Sequence, residues 1–523
     1  MSRAVLSKRR RHELSWLLIF LTAAILLLVD LGGKSLWVDE LFTAQVSGQQ
    51  HLGELLRQLA NVERRPPLFF FLMHYWMPVV GNSEWALRLP AALFGLLSLP
   101  LLASLARRLG LGERHLIAVA VLGAMPTFVL YARMARAYSM AMAVGLLSVI
   151  AFVALLQHPT RRRWLAYLIA STVLLYTDYA LMAILAAQNV FVGYLWLRKP
   201  RAALTPGGFT PPRLAAWCAA QATLLLAFTP WLAVLVAQSR QATQAADFAH
   251  GVSGYLIKLI YPILSLSTGE TIFPWNPAAI GAMIGVACLF VAGIATIGRK
   301  NRDVLVFTLT FLIIPFLFTA FLLSSVAPDI TFINMVSRTL FALPFFALVL
   351  AAGLHSRPAT PRKALTIGLL ALGWGTGLFN YYAGRDFLNP IYVTPMREIA
   401  QAVAARAMPG DVIVSDLDSG FGYYYGRTGA ITPLFSSLKE RNAARQAITA
   451  QRSPRVWLVA LGRDRTRIDA PAEQFASWLD DGYRLAETTG YAPEDARYRQ
   501  LKATLLKRAD YQYKASVRLY VAR

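Results

Sequence analysis

The sequence contains little cysteine and little negative charge. Two of its 523 residues are cysteines, and both lie in apolar runs, so it encodes neither a disulfide framework nor a cysteine metal cluster (Cys218 and Cys288). Asp and Glu number 28, against 52 Lys and Arg. A phosphate-cradling glycine loop is also missing, because Gly420-Phe421-Gly422 lacks the remaining glycine spacing. These absences exclude disulfide-rich secreted domains, cysteine zinc proteins and dinucleotide-binding enzymes.

Hydrophobic residues are abundant instead. They make up 56% of the chain and form repeated runs of about 20 residues, the length that crosses a bilayer. The sequence therefore predicts an all-α polytopic membrane bundle with about eleven transmembrane helices. At Thr177-Asp178-Tyr179, one long kinked helix is an alternative to two separate helices. The predicted spans are residues 14–31, 85–105, 115–131, 138–156, 164–177, 180–197, 214–236, 278–297, 304–325, 339–354 and 364–382.

Basic clusters alternate with the predicted helices. They lie before the first helix, at Lys8-Arg9-Arg10-Arg11, and in every second loop after it. Cytoplasmic loops carry the Lys and Arg excess of membrane proteins, so the N-terminus is predicted inside and the C-terminus outside. This orientation explains much of the net charge of +24, which therefore gives no reason to expect nucleic acid as a partner. Anionic membrane lipid and lipid-linked phosphate are the expected partners of this charge.

The chain is predicted to have two domains. Residues 1–382 form the transmembrane domain, with a large first external loop over residues 32–84. Inside that loop, residues 68–80 are apolar but too short to span a membrane. Residues 383–523 are more polar, and strand-like runs alternate with helix-like runs there, which is typical of a small α/β domain. We expect this second domain to lie outside the cytoplasm.

An acidic pair follows the first predicted helix, in Trp37-Val38-Asp39-Glu40. A carboxylate at an external membrane surface can deprotonate an acceptor hydroxyl or bind a metal ion. The alternative is that Asp39 and Glu40 occupy a helix N-terminus, where negative charge is favoured. Adjacent helical residues point roughly 100° apart, so we expect only one of the two to face a site.

A basic Pro-Pro turn is the first candidate for binding a phosphate. Arg64 and Arg65 precede Pro66-Pro67, whose rings stiffen the backbone that carries the two guanidinium groups. The planar fork of arginine binds two phosphate oxygens at once. The alternative is a basic pair that extends to the lipid headgroups.

Three more arginines lie on the predicted outer side. Arg133 and Arg136 are spaced i and i+3, which puts them on one face if the segment is helical, and Tyr138 follows them. Arginines at the outer end of a helix run against the positive-inside trend, so phosphate binding is a candidate reason. Arg338 begins a predicted helix, where the helix dipole disfavours a cation and makes a bound anion more favourable.

Three further residues are candidates for lining a site. A single histidine among aromatic residues is more often packed than functional, and an acid with a phenol at a short turn is a weak signal. No metal site is predicted, because the acids and histidine of the long loop before residue 277 match no ligand spacing. A divalent cation therefore has no supporting motif. The three candidates are His74, Asp178 and Tyr179.

These motifs resemble the opening of bacterial glycosyltransferases of the GT-C fold. Their order over residues 37–138 is similar to that of the dolichyl-phosphate-mannose protein mannosyltransferase-like group, which includes the lipid A aminoarabinose transferases. The stretches that carry the resemblance are Trp-Val-Asp-Glu-Leu-Phe-Thr-Ala, Arg-Pro-Pro-Leu-Phe-Phe-Phe-Leu-Met-His-Tyr-Trp and Ser-Glu-Trp-Ala-Leu-Arg-Leu-Pro-Ala-Ala-Leu-Phe-Gly.

The resemblance implies an enzyme of the bacterial inner membrane that acts on its outer face. Such enzymes take a hexose or pentose from a polyprenyl monophosphate and pass it to a lipid, glycan or protein acceptor, usually with inversion. Asp39 matches the catalytic acid of the family. Three departures are present. Arg64 and Arg65 stand where relatives carry His or Lys before Pro-Pro, Met134 replaces a common acid, and Thr339 replaces the usual tyrosine after Arg338.

The sequence thus predicts a membrane glycosyltransferase with Asp39 as the base, and with Arg65, Arg136 and Arg338 on the leaving phosphate. A transporter or flippase of lipid-linked glycans is the first alternative, but it would place polar residues near the bilayer midplane. A non-catalytic glycan-binding subunit is the second, and in it Asp39 would be dispensable. The sequence identifies neither the sugar nor the acceptor.

Overall fold

A computed structural model of the chain contains two compact units. We call the first the membrane unit, which comprises Met1–Leu31 and Val46–Arg385. The second, the sheet unit, comprises Gly32–Gln45 and Asp386–Arg523. The division into domains 1–382 and 383–523 stays a prediction. The structure describes residues 3–63, 65–112, 114–198, 208–241, 252–323, 335–356, 360–415, 419–430, 432–435, 440–460, 463–464, 471–491, 497, 500, 504, 512–513 and 515–523.

Helices build the membrane unit, and their ends follow ordinary capping chemistry. Ser83 accepts a hydrogen bond from the backbone N–H of Ala86 at 3.3 Å and so begins a long helix, which ends with Arg107 and Arg108 in its last turn. Up to Arg385 the α-helices are α1 (Arg3–Leu28), α2 (Val38–Ser47), α3 (Leu52–Gln58), α4 (Leu68–Val80), α5 (Glu84–Arg108), α6 (Arg114–Ala124), α7 (Pro126–Ala132), α8 (Tyr138–Gln157), α9 (Arg161–Leu175), α10 (Met182–Leu197), α11 (Leu214–Gln241), α12 (Val252–Thr268), α13 (Pro277–Lys300), α14 (Arg302–Leu317), α15 (Met335–Thr339), α16 (Leu343–Ser356) and α17 (Pro361–Ala383).

Many of these helices have the length and apolar surface of membrane spans. Within the described residues, eight qualify by length and composition, and the bent pair α6–α7 raises the number to nine. Large apolar side chains remain uncovered, such as Leu197 at 90% and Leu226 at 73% exposure, and lipid is the solvent that suits them. The predicted multi-pass helical fold is confirmed. Within the described residues every predicted span contains helix, but α9 has only 15 residues, so the number of crossings is approximate.

One helix was not predicted. Residues 238–277 were expected to form an external loop, whereas α12 occupies Val252–Thr268 within that stretch. Lys258 and Pro262 interrupt its apolar run, so the run is too short for the spanning criterion. The error matters for the site, because the end of α12 positions a buried carboxyl group described below.

Breaks between helices occur where the candidate residues lie. α6 and α7 meet at an angle of 64°. Residues 133–137, between α7 and α8, are not helical. Between α9 and α10 the backbone is extended at Asp178, before a 3-10 turn at Tyr179–Leu181. Two helices therefore flank Asp178, and the alternative of one kinked helix is wrong. Irregular backbone at membrane depth needs protein or water partners, so such breaks commonly mark functional cavities.

Two helices of the bundle pack with their backbones in contact. A Cβ atom at Gly293 of α13 would collide with the carbonyl oxygen of Val349 on α16. In return, a Cβ atom at Gly353 of α16 would collide with the carbonyl oxygen of Leu289. Small residues allow this close approach between membrane helices. Glycine is therefore required at both crossing points.

The sheet unit contains a mixed five-stranded sheet in the order β2-β1-β3-β7-β5. β1 pairs in parallel with β2 and β3, and β7 pairs antiparallel with β3 and β5. The predicted α/β tail is confirmed. Its strands are β1 (Val412–Ser415), β2 (Leu434–Phe435), β3 (Arg455–Ala460), β4 (Arg463–Asp464), β5 (Tyr483–Gly490), β6 (Gln512–Tyr513) and β7 (Ser516–Ala522), and its helices are α18 (Met396–Arg406), α19 (Ser419–Tyr425), α20 (Arg441–Gln451) and α21 (Pro471–Asp480).

A buried ion pair fixes the start of β1. Asp411 is fully buried and accepts hydrogen bonds from Arg455, at 3.0 Å from Nε and 2.6 Å from Nη2. Trp457 Nε1 at 3.0 Å and the N–H of Met408 at 2.9 Å also donate to this carboxylate. Burial alone would raise the pKa of Asp411, but the hydrogen bonds from Arg455, Met408 and Trp457 hold it below its usual value.

The segment Gly32–Gln45 belongs to the sheet unit, although it directly follows α1 in the chain. Ser35 Oγ donates to Glu398 Oε2 at 3.0 Å, and the N–H of Leu36 donates to the Tyr424 hydroxyl at 2.8 Å. The ring of Trp37 packs edge-on against Tyr392, with centroids 4.7 Å apart. The sheet unit therefore holds the N-terminal end of α2.

Candidate active site

Asp178 draws two arginines together inside the membrane unit. Its Oδ2 lies 3.4 Å from Nη1 of Arg65 and 3.5 Å from Nη1 of Arg338. The three side chains are only 10%, 11% and 7% exposed for Arg65, Arg338 and Asp178, respectively. The sequence had named all three as separate candidates, more than 270 residues apart at the extremes, and the fold places them in one cluster. The cluster brings two guanidinium groups to one carboxylate.

The backbone positions Arg65 at this cluster. The N–H of Leu68, directly after Pro66-Pro67, donates to the carbonyl oxygen of Tyr176 at 3.0 Å. The Pro-Pro turn is thereby attached to the break that carries Asp178. At the same break, Asp178 Oδ1 accepts the N–H of Ala180 at 2.9 Å and caps the 3-10 turn. Arg64 lies outside the described residues.

Arg338 lies near the start of a helical segment, as predicted. α15 continues through a 3-10 turn at Leu340–Ala342 into α16, and together they form one apolar span, Met335–His355. The dipole argument for an anion at Arg338 stays a prediction. The structure adds the shared carboxylate of Asp178.

Arg133 has a structural role. Its Nη1 donates to the carbonyl oxygens of Leu26 and Val29 at 2.9 and 2.7 Å, and its Nη2 donates to that of Asp30 at 2.8 Å. Its Nε donates to the Tyr381 hydroxyl at 2.9 Å. The guanidinium group therefore satisfies carbonyls at the C-terminal end of α1. We leave Arg133 out of the phosphate site.

Arg136 lies in the non-helical turn between α7 and α8, so the predicted helical face shared with Arg133 is not formed. Its backbone N–H donates to the carbonyl oxygen of Met134 at 2.7 Å, and the residue is 2% exposed. Tyr138 begins α8, and its ring packs edge-on against Tyr131 at 5.5 Å. Arg136 therefore lies in a turn whose flanking residues in the chain include two buried tyrosines, Tyr131 and Tyr138.

Glu270 is a buried carboxyl group that the sequence analysis missed as a site residue. It follows α12, and its Oε1 accepts from the Tyr131 hydroxyl at 2.9 Å and from Ser265 Oγ at 3.0 Å. Its Oε2 is buried without a hydrogen-bond partner. Burial raises the pKa of Glu270 to about 7, although hydrogen bonds from Tyr131, Ser265 and Tyr261 act in the opposite direction. A lone acid in a long loop gave no signal for this arrangement.

The acidic pair of α2 lies in the sheet unit and its two members differ. Glu40 is fully buried, and its Oε2 accepts the N–H of Trp37 at 3.2 Å, which is the geometry of a side chain that closes its own helix N-terminus. Asp39 is half-buried, in the first turn of the same helix. The two carboxylates therefore have different surroundings, as expected for adjacent helical residues.

The remaining candidates take separate places. Tyr179 accepts a hydrogen bond on its hydroxyl from Trp231 Nε1 at 2.8 Å, in the turn after Asp178. His74 lies on α4, and its Nδ1 is 3.0 Å from the carbonyl oxygen of Ser47. Among the described residues, no three histidine, cysteine or acidic side chains converge as metal ligands do.

Part of the chain that holds this site matches a known protein family. A family of dolichyl-phosphate-mannose-protein mannosyltransferases matches residues 64–231, which is less than half of the chain. The matched stretch includes Arg65, Arg136 and Asp178. No curated protein sequence matches the chain.

Solved structures match over almost the whole chain. ArnT from Cupriavidus metallidurans in the apo state has 13% identity and a TM-score of 0.53, with 97% of this chain and 98% of that chain covered. The same protein bound to undecaprenyl phosphate has 13% identity and a TM-score of 0.51, with 96% and 98% covered. The chain has the GT-C glycosyltransferase fold.

A third match extends the comparison beyond bacteria. The apo oligosaccharyltransferase of Archaeoglobus fulgidus has 10% identity to this GT-C chain and a TM-score of 0.51, with 98% and 88% covered. The resemblance drawn from the motifs of residues 37–138 is thereby confirmed at the level of fold. At these identities the structural matches describe the fold and leave the substrate open.

Proposed function

We propose that the protein is a membrane glycosyltransferase that moves a hexose or pentose from a polyprenyl-phosphate donor to a lipid, glycan or protein acceptor. The family match over residues 64–231 and the GT-C fold support this reaction class. One of the two ArnT structures that resemble this chain is bound to undecaprenyl phosphate, and this supports a lipid-linked donor here. We place the reaction on the outer face of a bacterial inner membrane, with the N-terminus in the cytoplasm.

The observation that carries the proposal is the cluster of Arg65, Asp178 and Arg338. Charge-assisted contacts between guanidinium and carboxylate groups are normally 2.7–2.9 Å long. Here both N–O distances exceed 3.3 Å, and two cations share one carboxylate oxygen. Arginine binds two phosphate oxygens at once through its planar fork. We therefore assign the leaving phosphate of the donor to Arg65 and Arg338, and Arg136 is the third arginine that we assign to it.

Asp39 is the proposed base. In the reaction, the Asp39 carboxylate takes the proton of the acceptor hydroxyl. At the same time the acceptor oxygen forms a bond to the anomeric carbon of the sugar. The bond from that carbon to the phosphate oxygen breaks, and the electron pair leaves with the polyprenyl phosphate. Attack opposite the leaving group inverts the anomeric centre. The capping contact of Glu40 with the Trp37 N–H supports Asp39 rather than Glu40 in this role.

Profiling of lipid-linked sugars in a deletion strain tests the reaction and names the donor. We expect one polyprenyl-phosphate sugar to accumulate. The same donor should then support transfer by the purified protein, and Arg65→Ala should reduce this transfer by about 10- to 150-fold, the loss of a hydrogen bond to a charged group.

Arg362→Ala is the matched control, because this exposed arginine lies in the first turn of α17 and outside the cluster. It should transfer at the wild-type rate. An unchanged lipid-linked sugar profile in the deletion strain would contradict the proposal. Export of an intact lipid-linked glycan without sugar transfer would favour the transporter alternative.

A further inference from the structure

A cavity lies at the far end of α4, away from the arginine cluster. Its volume is about 540 Å³, and it is open to the exterior. The connection after α2 supplies one wall, and the second half of α4 with the residues after it supplies the other. The polar lining residues that the argument uses are Ser47, Gln49, Gln50, His74, Tyr75 and Asn82.

The lining of this cavity combines polar groups with a larger apolar surface, to which Met77 and Pro78 belong, and it carries no fixed charge. Amide groups come from Gln49, Gln50 and Asn82, and none of the lining residues is Lys, Arg, Asp or Glu. Amides both donate and accept hydrogen bonds, so they pair with hydroxyl groups in either direction. A charged ligand would find no counter-charge here. An uncharged ligand rich in hydroxyl groups fits this lining.

A buried hydroxyl and a half-buried imidazole line the cavity. Ser47 is 1% exposed, and its hydroxyl is buried without a hydrogen-bond partner. A buried hydroxyl without a partner is costly, so a ligand hydroxyl that binds it is favourable. The carbonyl oxygen of Ser47 can only accept, so Nδ1 of His74 must donate to it at 3.0 Å. In the neutral imidazole, Nε2 is then an acceptor.

An exposed aromatic ring borders the cavity. Tyr75 is 65% exposed, and its ring packs edge-on against His74 at a centroid distance of 5.1 Å. An exposed tyrosine offers an apolar ring face together with a hydroxyl group. The left-handed backbone of Gly81, with φ of 99°, ends α4 and brings Asn82 to the same rim. The geometry points to a subsite for an uncharged saccharide unit of the acceptor.

The location of the subsite suits an acceptor more than the donor. α4 begins three residues after Arg65, and His74 follows six residues later, about 9 Å along the helix axis. A sugar unit in the cavity is therefore remote from a phosphate held at Arg65. Binding of remote substrate parts is a common way to position a reacting group. This inference rests on the proposed function only for the assignment to an acceptor, since saccharide binding itself needs no transfer.

Direct binding to the purified full-length protein in lipid nanodiscs tests the subsite. Saturation-transfer NMR with mannobiose and maltose as uncharged probes should detect binding, and glucuronic acid should bind much more weakly. Gln50→Ala/Asn82→Ala should weaken disaccharide binding about tenfold. The matched control Gln58→Ala/Asn61→Ala removes two amides from α3 and the π-helical turn after it, outside the lining, and should bind as wild type does.

Three results would overturn the subsite: no binding of either disaccharide, equal binding of glucuronic acid, or unchanged binding in the double variant. Kinetics with the identified donor then test the acceptor assignment. The double variant should raise KM for the acceptor about tenfold with kcat and donor KM unchanged, as loss of uniform binding does. A rise in donor KM instead would assign the cavity to the donor sugar and contradict the acceptor. Failure of transfer in wild type with intact disaccharide binding would contradict the proposed function and not the subsite.

Discussion

Asp178 and Asp411 are both buried carboxylates that contact arginine, one in each unit of the protein. Asp411 meets one arginine, Arg455, through two hydrogen bonds of 2.6 and 3.0 Å, and its charge is balanced. Asp178 meets Arg65 and Arg338 at 3.4 and 3.5 Å through one shared oxygen. A short contact through two hydrogen bonds stabilises a fold, whereas two long contacts to one shared oxygen are weak. The contrast separates a structural ion pair from a candidate binding site.

The largest expected effect concerns a third kind of carboxylate, that of Asp39. Asp39→Asn should keep expression and donor binding nearly intact, because the side chains are close in size. Turnover should fall by about 10²–10⁴, the usual contribution of a positioned acid or base. Glu40→Gln should fall less, because Glu40 caps its helix. Turnover of both purified variants, with and without a chelator, is the measurement.

Wild-type turnover in Asp39→Asn would remove it from the chemistry. A larger loss in Glu40→Gln would exchange the roles of the two acids. Loss of activity with chelator would add a metal ion to the site.

The difference between the two aspartates can be tested by removing one arginine partner from each. Arg455→Ala should destabilise the sheet unit by about 3 kcal/mol, because it leaves a buried carboxylate unpaired. Arg338→Ala should lower kcat/KM by about 10- to 150-fold with little change in Tm, because Asp178 keeps Arg65. Thermal unfolding and donor kinetics on both variants supply the test. A Tm loss in Arg338→Ala that matched the loss in Arg455→Ala would show that both clusters are structural.

Glu270 sharpens the comparison, because it is buried and accepts its hydrogen bonds from the hydroxyl groups of Tyr131 and Ser265 and not from an arginine. Its pKa is raised from 4.5 to about 7, so the folded protein holds the proton more tightly than the unfolded chain. Stability should therefore fall as pH rises from about 4.5 to 7, by about 3 kcal/mol at most. Glu270→Gln should remove this slope, and Glu54→Gln should keep it. Tm between pH 5 and 8 is the measurement, and an unchanged slope in Glu270→Gln would refute the assignment.

The smallest effect is expected from the titration of Asp411. The pKa of this carboxyl is lowered in the folded protein, so its contribution is fully present above the ordinary value and is lost as pH falls through the lowered one. Below pH 4 the sheet unit should lose stability, and Asp411→Asn should be less sensitive to acid. Unfolding of the sheet unit between pH 3 and 6 checks this. Equal acid sensitivity of Asp411→Asn and wild type would exclude Asp411 as the source.

Sequence alone predicted the elements with a local signal. The apolar runs gave the helices, and the tail gave strands at residues 412–414, 456–459 and 517–521, because β-branched and aromatic residues cluster there. Asp39, Arg65 and Arg338 were selected because charge at a membrane face is unusual. Their roles in the chemistry stay predictions.

The contacts that decide between roles depend on distant residues. Arg133 and Arg136 look alike in sequence, and only the fold shows that Arg133 binds the carbonyl oxygens at the end of α1. Asp178 could be assigned to a charge cluster only once the fold showed its contacts with Arg65 and Arg338, which come from two other parts of the chain. Glu270 needed α12, whose apolar run is interrupted by Lys258 and Pro262. Contacts between distant parts of the chain leave no periodic pattern in the sequence, so they could not be predicted from it.

The contact between α13 and α16 has a consequence for motion. Gly293 fits against Val349, and Gly353 fits against Leu289, so each helix touches the other at two points about one turn apart. A slide of α13 by one turn, about 5.4 Å, would move Leu289 or Ile297 into the place of Gly293. We therefore expect α13 and α16 to move as a pair when the bundle admits a long lipid chain.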